Sequence, residues 1–241
     1  MFINSATFLG NGTLILVAAA IIPAAILLRF IYKKDRLENE PPEMIWGLVL
    51  MGVISTFVAI MCERLGSMIL GIFFRNDNLL YRILFYFIVV GLSEEAAKYT
   101  VLNKKTWNHP EFNCKFDGVV YSVTVALGFA VWENIGYVFM YGLGTALLRA
   151  VTAVPGHACF GVFMGFWYGM AKRCEIRADF ATCKICKKLC IIMPAVIHGC
   201  YDFIASMTDT VSSFIFVGFV IIMFIICFVV TNRLSAHDEY L

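Results

Sequence analysis

Seven apolar stretches, each about as long as a bilayer is thick, constrain the fold of this chain more than any other feature of its sequence. A helix crosses the hydrocarbon core with about 17–25 apolar residues. A transmembrane β-barrel would need segments of about ten residues with alternating hydrophobicity, and these stretches do not alternate. We therefore predict an all-α polytopic membrane bundle of about seven transmembrane helices, at residues 13–32, 44–70, 79–102, 118–141, 145–171, 189–207 and 211–230.

The composition supports a membrane location. Of the 241 residues, 61% are hydrophobic and 15% are charged, against about 45–50% and roughly 25% in soluble domains. The surplus must face lipid, so the lipid bilayer is a predicted partner and the chain is predicted to be a single transmembrane domain, residues 1–241, in the cell membrane. The basic residues are scattered and the net charge is only +2, so no nucleic acid is expected as a partner.

Basic residues follow the first, third, fifth and last apolar stretches, and the opposite loops are nearly free of them. The positive-inside rule therefore predicts an outside N-terminus and a cytosolic C-terminus. The basic set is Lys33, Lys34, Arg36, Lys104, Lys105, Lys115, Lys172, Arg173, Arg177, Lys184, Lys187, Lys188 and Arg233, and the opposite loops hold Arg75, Arg82 and Arg149.

Two adjacent carboxylates and a lysine lie inside the third stretch, at Glu94, Glu95 and Lys98. Charges at this depth are costly, so a functional site is the default interpretation. Glu94 and Lys98 are four residues apart and share a helix face, whereas Glu95 points about 100° away. Lys98 is also three residues from Glu95, so either carboxylate is a possible partner.

The next three stretches carry further polar groups. The fourth has Glu133 and Asn134, the fifth has His157, and the sixth has His198 and Asp202. With a rise of about 1.5 Å per residue, Glu94, Glu133 and the two histidines fall in the middle and outer half of the membrane. We predict that they converge on one cavity. The bilayer-spanning helices that carry these groups occupy approximately residues 79–207.

Local spacing adds three expectations. His198 and Asp202 are four residues apart, which suits an aspartate that orients an imidazole. Pro155 and Gly156 precede His157 and are expected to kink the fifth helix. Glu133 has an alternative interpretation as a simple ion-pair partner of Arg149, just as a buried histidine can be a packing residue with satisfied hydrogen bonds.

Two further features of the sequence are not assigned to the predicted site. Glu63 and Arg64 interrupt the second stretch, and we expect them to pair at the outer interface, with a re-entrant tail as the alternative. Cysteines at 174, 183, 186 and 190 fall in a predicted cytosolic loop. A lone CxxC with irregular flanking spacing is a weak zinc signal, so palmitoylation or inert thiols are equally good explanations.

Carboxylates and histidines at this depth suit peptide-bond hydrolysis, which needs an activated water, a base and oxyanion donors. In one route a buried glutamate is the base, and His157 and His198 position the water or donate to the oxyanion. In the other, Zn²⁺ is held by His157, His198 and Glu133, and another glutamate is the base. A proton-coupled transporter would also explain such residues.

Four motifs in order resemble the PrsW-type intramembrane proteases, which are related to the CAAX-protease and Abi group. The motifs are Glu94-Glu95-x-x-Lys98, then Asp117 to Tyr121 with Gly128 to Glu133-Asn134, then Arg149 with Pro155-x-His157 and Gly161, and finally His198-Gly199-x-Tyr201-Asp202. They span the third to the sixth apolar stretches.

The resemblance implies site-1 cleavage of a single-pass membrane protein, often an anti-sigma factor, in a stress response. It implies catalytic roles for Glu94 and Glu95, with Glu133, His157 and His198 completing the site. PrsW proteins are often classed as metalloproteases and the CAAX relatives as glutamate proteases, so Zn²⁺ stays open.

One departure from the CAAX-type pattern concerns the basic residue, which there follows the second glutamate by four and here follows the first by four. If Lys98 restrains its i+4 partner, Glu95 is the free base, and the sequence does not decide between Glu94 and Glu95. We hypothesise an intramembrane endopeptidase. A proton-coupled transporter and a non-catalytic scaffold of the same superfamily are the alternatives.

Overall fold

The structure is a computed structural model that describes residues 3–75 and 78–241, with side chains from Thr13 onward. The described residues form no β-strand, and one antiparallel bridge joins Cys114 to Tyr240. The all-α prediction is therefore confirmed. The helices are α1 (Ile3–Tyr32), α2 (Pro42–Phe73), α3 (Leu79–Leu84), α4 (Ser93–Thr106), α5 (Asp117–Tyr141), α6 (Leu143–Val151), α7 (Ala153–Ile176), α8 (Phe180–Ala205) and α9 (Thr210–Ala236), and a π-helical segment, π1 (Phe85–Leu92), joins α3 to α4.

Within the described part of the chain, five helical stretches are long and apolar enough to cross a membrane, which makes the chain a multi-pass membrane protein. They are Thr13–Tyr32, Pro42–Phe73, Asp117–Tyr141, Leu143–Ile176 and Thr210–Ala236. The other two predicted spans are helical, but neither coincides with a single, uniformly apolar α-helix. Residues 79–102 are divided among α3, π1 and α4, and residues 189–207 continue from a basic N-terminal part of α8.

The fifth predicted span is interrupted just before the Pro155-Gly156 pair. The break lies at Thr152, whose φ of −121° and ψ of −67° separate α6 from α7. Pro155 is the third residue of α7 and has no N–H to donate to Val151, which lies four residues earlier and is the last residue of α6. The predicted interruption of this helix is therefore present, and it lies three residues before the proline.

The predicted loop between the fifth and sixth spans is largely helical, so the prediction of a loop is wrong. The Asp179 side chain accepts a hydrogen bond from the Thr182 backbone N–H at 3.1 Å and starts α8 nine residues before the predicted span. Such N-caps stabilise a helix start. Cys183, Cys186 and Cys190 are consequently buried on α8, and all nine cysteines are free thiols.

Helix α5 is buried along most of its first half and packs between α2 and α7. Close approach requires glycine at both interfaces. A Cβ on Gly128 would overlap the Val49 carbonyl oxygen of α2, and one on Gly165 of α7 would lie 2.5 Å from the Val119 Cα. The small residues of α7 therefore serve helix packing, as expected from their spacing.

A candidate active site of buried carboxylates and histidines

Four helices and one short helix bring the predicted site residues together. Helix α4 supplies Glu94, Glu95 and Lys98, and α5 supplies Glu133 and Asn134. Arg149 lies on α6, His157 on α7, and His198 and Asp202 on α8. Direct hydrogen bonds and ion pairs connect all nine side chains in one network, which is described below.

The π1 segment sets the position of α4 against α8. A Cβ on Gly91 of π1 would lie 2.7 Å from the Ala195 carbonyl oxygen, and one on Gly199 of α8 would lie 2.7 Å from the Phe87 ring. These glycines allow π1 and α8 to approach closely immediately before Glu94 and Glu95. π-Helical turns are rare and frequently occur at functional sites.

Lys98 is the centre of the network and is fully buried. Its Nζ lies 2.7 Å from Glu95 Oε1, 3.1 Å from Glu94 Oε2 and 3.2 Å from His157 Nδ1. The ammonium also lies 4.0 Å from the Phe129 ring centroid, a favourable cation–π geometry. One cation therefore faces both carboxylates and a histidine.

Glu94 and Glu95 have different surroundings. Glu95 has no exposed surface, and its Oε1 contacts both Lys98 and His198 Nδ1, the latter at 3.0 Å. Glu94 lies 3.9 Å from His198 Nδ1 and lines a polar cavity of about 440 Å³, which Glu95 does not reach. Lys98 therefore lies closer to Glu95, three residues before it, than to Glu94, four residues before it. Glu94 is the carboxylate that a molecule in the cavity can contact.

His157 links Lys98 to a second group of charges. Its Nε2 lies 2.8 Å from Glu133 Oε2, which also pairs with Arg149 Nη2 at 2.9 Å. Arg149 Nε in turn donates to Asn134 Oδ1 at 2.9 Å. The predicted Glu133 and Arg149 pair is thus present, and the same carboxylate also holds the imidazole.

His198 is held on both sides by carboxylates. Its Nδ1 faces Glu95, and its Nε2 lies 3.3 Å from Asp202 Oδ2, which agrees with the four-residue spacing. The Phe160 ring stacks on the imidazole with centroids 4.5 Å apart. Stacking and two polar partners fix the ring plane, and the two histidine rings lie 5.4 Å apart.

Glu63 belongs to this site, which the sequence did not suggest. Helix α2 continues unbroken through it to Phe73, and its side chain lines the cavity. Among the described residues it forms no ion pair with Arg64, so the expected interfacial pair is wrong. The sequence contains a signal for this role, because an acid two-thirds of the way along an apolar helix needs a polar cavity as much as Glu94 does.

Polar side chains dominate the wall of the cavity. It is lined by Glu63, Glu94, Glu133, His157, His198, Asp202, Arg149, Tyr86, Tyr137, Tyr201 and Ser206, with apolar residues beside them.

Three side chains of the site lie close enough together to be considered as ligands of a zinc ion. Glu94, His157 and His198 each offer a ligand atom within 4.8 Å of the others. However, the Lys98 ammonium contacts both Glu94 and His157 Nδ1, and the remaining ring nitrogens face Glu133, Glu95 and Asp202. A metal on these ligands would have to displace the ammonium, so this arrangement does not fit Zn²⁺. Glu133, expected as a ligand, instead holds His157 and Arg149.

Comparison with known proteins gives one consistent family. The sequence model described as PrsW family intramembrane metalloprotease matches residues 40–231. Protease PrsW of Bacillus subtilis (strain 168) is 34% identical over 195 residues, which cover 78% of this chain and 82% of the relative. Protease PrsW of Halalkalibacterium halodurans is 32% identical over 211 residues, covering 86% and 91%. No solved structure matches the chain significantly.

Proposed function

This chain belongs to the PrsW family of intramembrane proteases, and on that premise we propose that it cleaves a single-pass membrane protein with Glu94 as the general base. The observation that carries the proposal is the difference between the two glutamates. Glu94 faces the polar cavity, whereas Glu95 is buried between Lys98 and His198. A base must reach the water that it activates.

In the proposed reaction a water molecule in the cavity lies between Glu94 and the scissile carbonyl carbon. Glu94 takes a proton as the water oxygen attacks, and the same carboxyl group gives that proton to the amide nitrogen as the C–N bond breaks. Arg149 and Tyr137 line the cavity. They are the candidates for donating hydrogen bonds to the oxyanion.

The remaining network positions these groups. Lys98 compensates the charge of Glu94 and Glu95, while Asp202 and Glu95 orient His198. Glu133 orients His157, and Asn134 holds the Arg149 guanidinium, which keeps Arg149 at the cavity wall. No step of this mechanism passes through a metal ion, because Lys98 lies between the would-be ligands.

The proposed topology has seven spans, with 79–102 and 189–207 crossing as polar-cored helices, the N-terminus outside and the C-terminus in the cytosol. The whole of residues 1–241 acts as one transmembrane domain. Its support is the one-sided distribution of lysine and arginine. In this orientation the cavity lies toward the outer side, which suits site-1 cleavage of a substrate such as an anti-sigma factor.

The proposal is tested by reconstituting the purified full chain in proteoliposomes with single-pass candidate substrates. We expect a cleaved product from the wild-type protein and none from a folded Glu94→Ala, Glu95→Ala double variant. Cleavage by the double variant at the wild-type rate would overturn the proposal. Proton flux into the proteoliposomes without any cleaved product would favour a transporter. If the His157→Ala variant kept the function of the wild-type protein in the cell, a non-catalytic scaffold would be favoured.

A further inference from the structure

Three buried carboxylates, far from the catalytic cavity, form a second cluster. Asp35 and Glu40 lie in the loop between α1 and α2, and Asp117 is the first residue of α5. Their exposed fractions are 6%, 2% and 0%. Asp117 is 16 residues before Glu133 on the same helix, or about 24 Å along its axis. The cluster therefore belongs to the end of the bundle opposite the catalytic site.

Five of the six carboxylate oxygens in this cluster lack a hydrogen-bond partner among the described residues. One carboxylate oxygen of each residue lies within 4.8 Å of the others. Both oxygens of Asp35, both of Glu40 and Oδ1 of Asp117 are buried and accept no hydrogen bond from any described residue. The other Asp117 oxygen is fixed by the backbone N–H groups of Cys114 and Asn113, at 2.7 and 3.1 Å. Asp117 Oδ1 is thus held toward the cluster with its lone pairs unused.

Among the residues that the structure describes, no lysine or arginine forms an ion pair with any of the three carboxylates. The charged groups that act on Asp35 are Asp238 and Glu38, and those that act on Glu40 are Asp35, Glu111 and Glu38. Burial and these neighbours raise the pKa of both Asp35 and Glu40 to about 7. Buried charges are normally paired or bound to metals.

The Tyr121 hydroxyl does not compensate the charge of these carboxylates. Tyr121 lies beside Glu40, but it donates its proton to the Glu111 carbonyl oxygen at 2.9 Å. Asn113 adds another buried oxygen, Oδ1, that accepts no hydrogen bond from the described residues. Carboxylate and amide oxygens are the ligands of hard cations, at about 2.0–2.6 Å, and ligands on one such ion lie up to roughly 5 Å apart.

We propose that Asp35, Glu40 and Asp117 bind one hard divalent cation, of the Mg²⁺ or Ca²⁺ class. The ion would join three segments that already meet there. The Phe116 backbone N–H donates to Asp238 Oδ1 at 2.8 Å, and the Leu241 N–H donates to the Asn113 carbonyl oxygen at 2.7 Å. The cation clamps the α1–α2 loop and the start of α5, against which the C-terminal tail packs. This assignment does not depend on the proposed protease activity.

Binding is tested on the full chain in detergent after removal of divalent ions with a chelator. Mg²⁺ and Ca²⁺ are titrated separately by calorimetry, and Tb³⁺ luminescence, sensitised by the adjacent Tyr121, gives a second measurement. We expect one equivalent to bind and to raise the melting temperature. Asp35→Asn and Glu40→Gln should each weaken binding at least about tenfold, because affinity follows the charge of the ligands.

Two controls separate this site from others. Glu43→Gln changes an exposed acid at the same end of the bundle, and His157→Ala removes a donor of the catalytic cluster. Both should retain the binding. Absence of saturable binding of either ion to the wild-type chain, or unchanged binding in both Asp35→Asn and Glu40→Gln, would overturn the proposal. If the variants do not fold, a wild-type melting temperature that is the same in chelator and in Mg²⁺ or Ca²⁺ overturns it as well.

Discussion

Glu94 and Glu95 are adjacent in the sequence and differ in what surrounds them. Glu95 makes two short contacts in a fully buried position, and Glu94 shares Lys98 while facing the cavity. The sequence predicted that Lys98 could restrain either carboxylate, because side chains three and four residues away on a helix are both within its reach. The choice depends on His198 of α8, 103 residues away, and no local spacing contains that information.

Lys98→Met tests the role of the central ammonium. The variant leaves Glu94 and Glu95 buried without their cation, and breaking a buried pair in this way costs about 3–5 kcal/mol. We expect a free energy of unfolding lower by that amount, measured by titration with a denaturing detergent. Lys104→Met is the matched control, because Lys104 is exposed on the same helix. Equal stability of the two variants would contradict the burial argument.

Removal of zinc tests whether the Lys98 ammonium, and not a metal ion, lies between Glu94 and His157. Because the ammonium contacts Glu94 and His157 directly, cleavage is expected to continue at an unchanged rate after treatment with a zinc-selective chelator. Mg²⁺ is kept in the buffer so that the Asp35, Glu40 and Asp117 cluster is not affected. A rate that falls with zinc content and returns when Zn²⁺ is added would show that the metal route is correct.

At the scale of elements, the sequence predicted which segments are helical better than it predicted where the helices are interrupted. Apolar length identified all seven stretches as helical. It did not identify π1, the exact position of the break at Thr152 or the early start of α8. These features depend on tertiary contacts and a single cap, such as the fit of Gly91 against Ala195, which hydrophobicity does not record.

Gly128→Ala tests the packing of α2 against α5. The new Cβ would overlap the Val49 carbonyl oxygen, and overpacking of this kind typically costs about 1–3 kcal/mol. Gly136→Ala is the control on the same helix, because a Cβ there meets nothing within 4 Å. It should be neutral or stabilising by up to about 1 kcal/mol through helix propensity. Similar melting temperatures for both variants would refute the close approach of the two helices.

Across the whole molecule, motifs that are far apart in the sequence meet at one cavity, as predicted. Charged residues within apolar stretches could be recognised from sequence because each must have a polar neighbour. Glu63 was missed because Arg64 beside it offered an apparent local partner. Tyr137 and Tyr86 carried no signal, since tyrosine is common in membrane helices, and only the folded cavity identifies them.

The topology gives a separate prediction at this scale. With the C-terminus in the cytosol, a green fluorescent protein fused after Leu241 should fluoresce, and alkaline phosphatase at the same position should be inactive. The physical basis is the excess of lysine and arginine in one set of loops. Active phosphatase at the C-terminus would reverse the proposed orientation and move the cavity toward the cytosolic side.

The most direct test of the central claim is the initial rate of substrate cleavage by Glu94→Gln in proteoliposomes. The substitution keeps the shape of the side chain and removes the base, so the rate should fall by roughly 10²–10⁴-fold. Glu43→Gln, an exposed change outside the cavity, should cleave at the wild-type rate. Cleavage by a folded Glu94→Gln variant at the wild-type rate would contradict the assignment of Glu94 as the base.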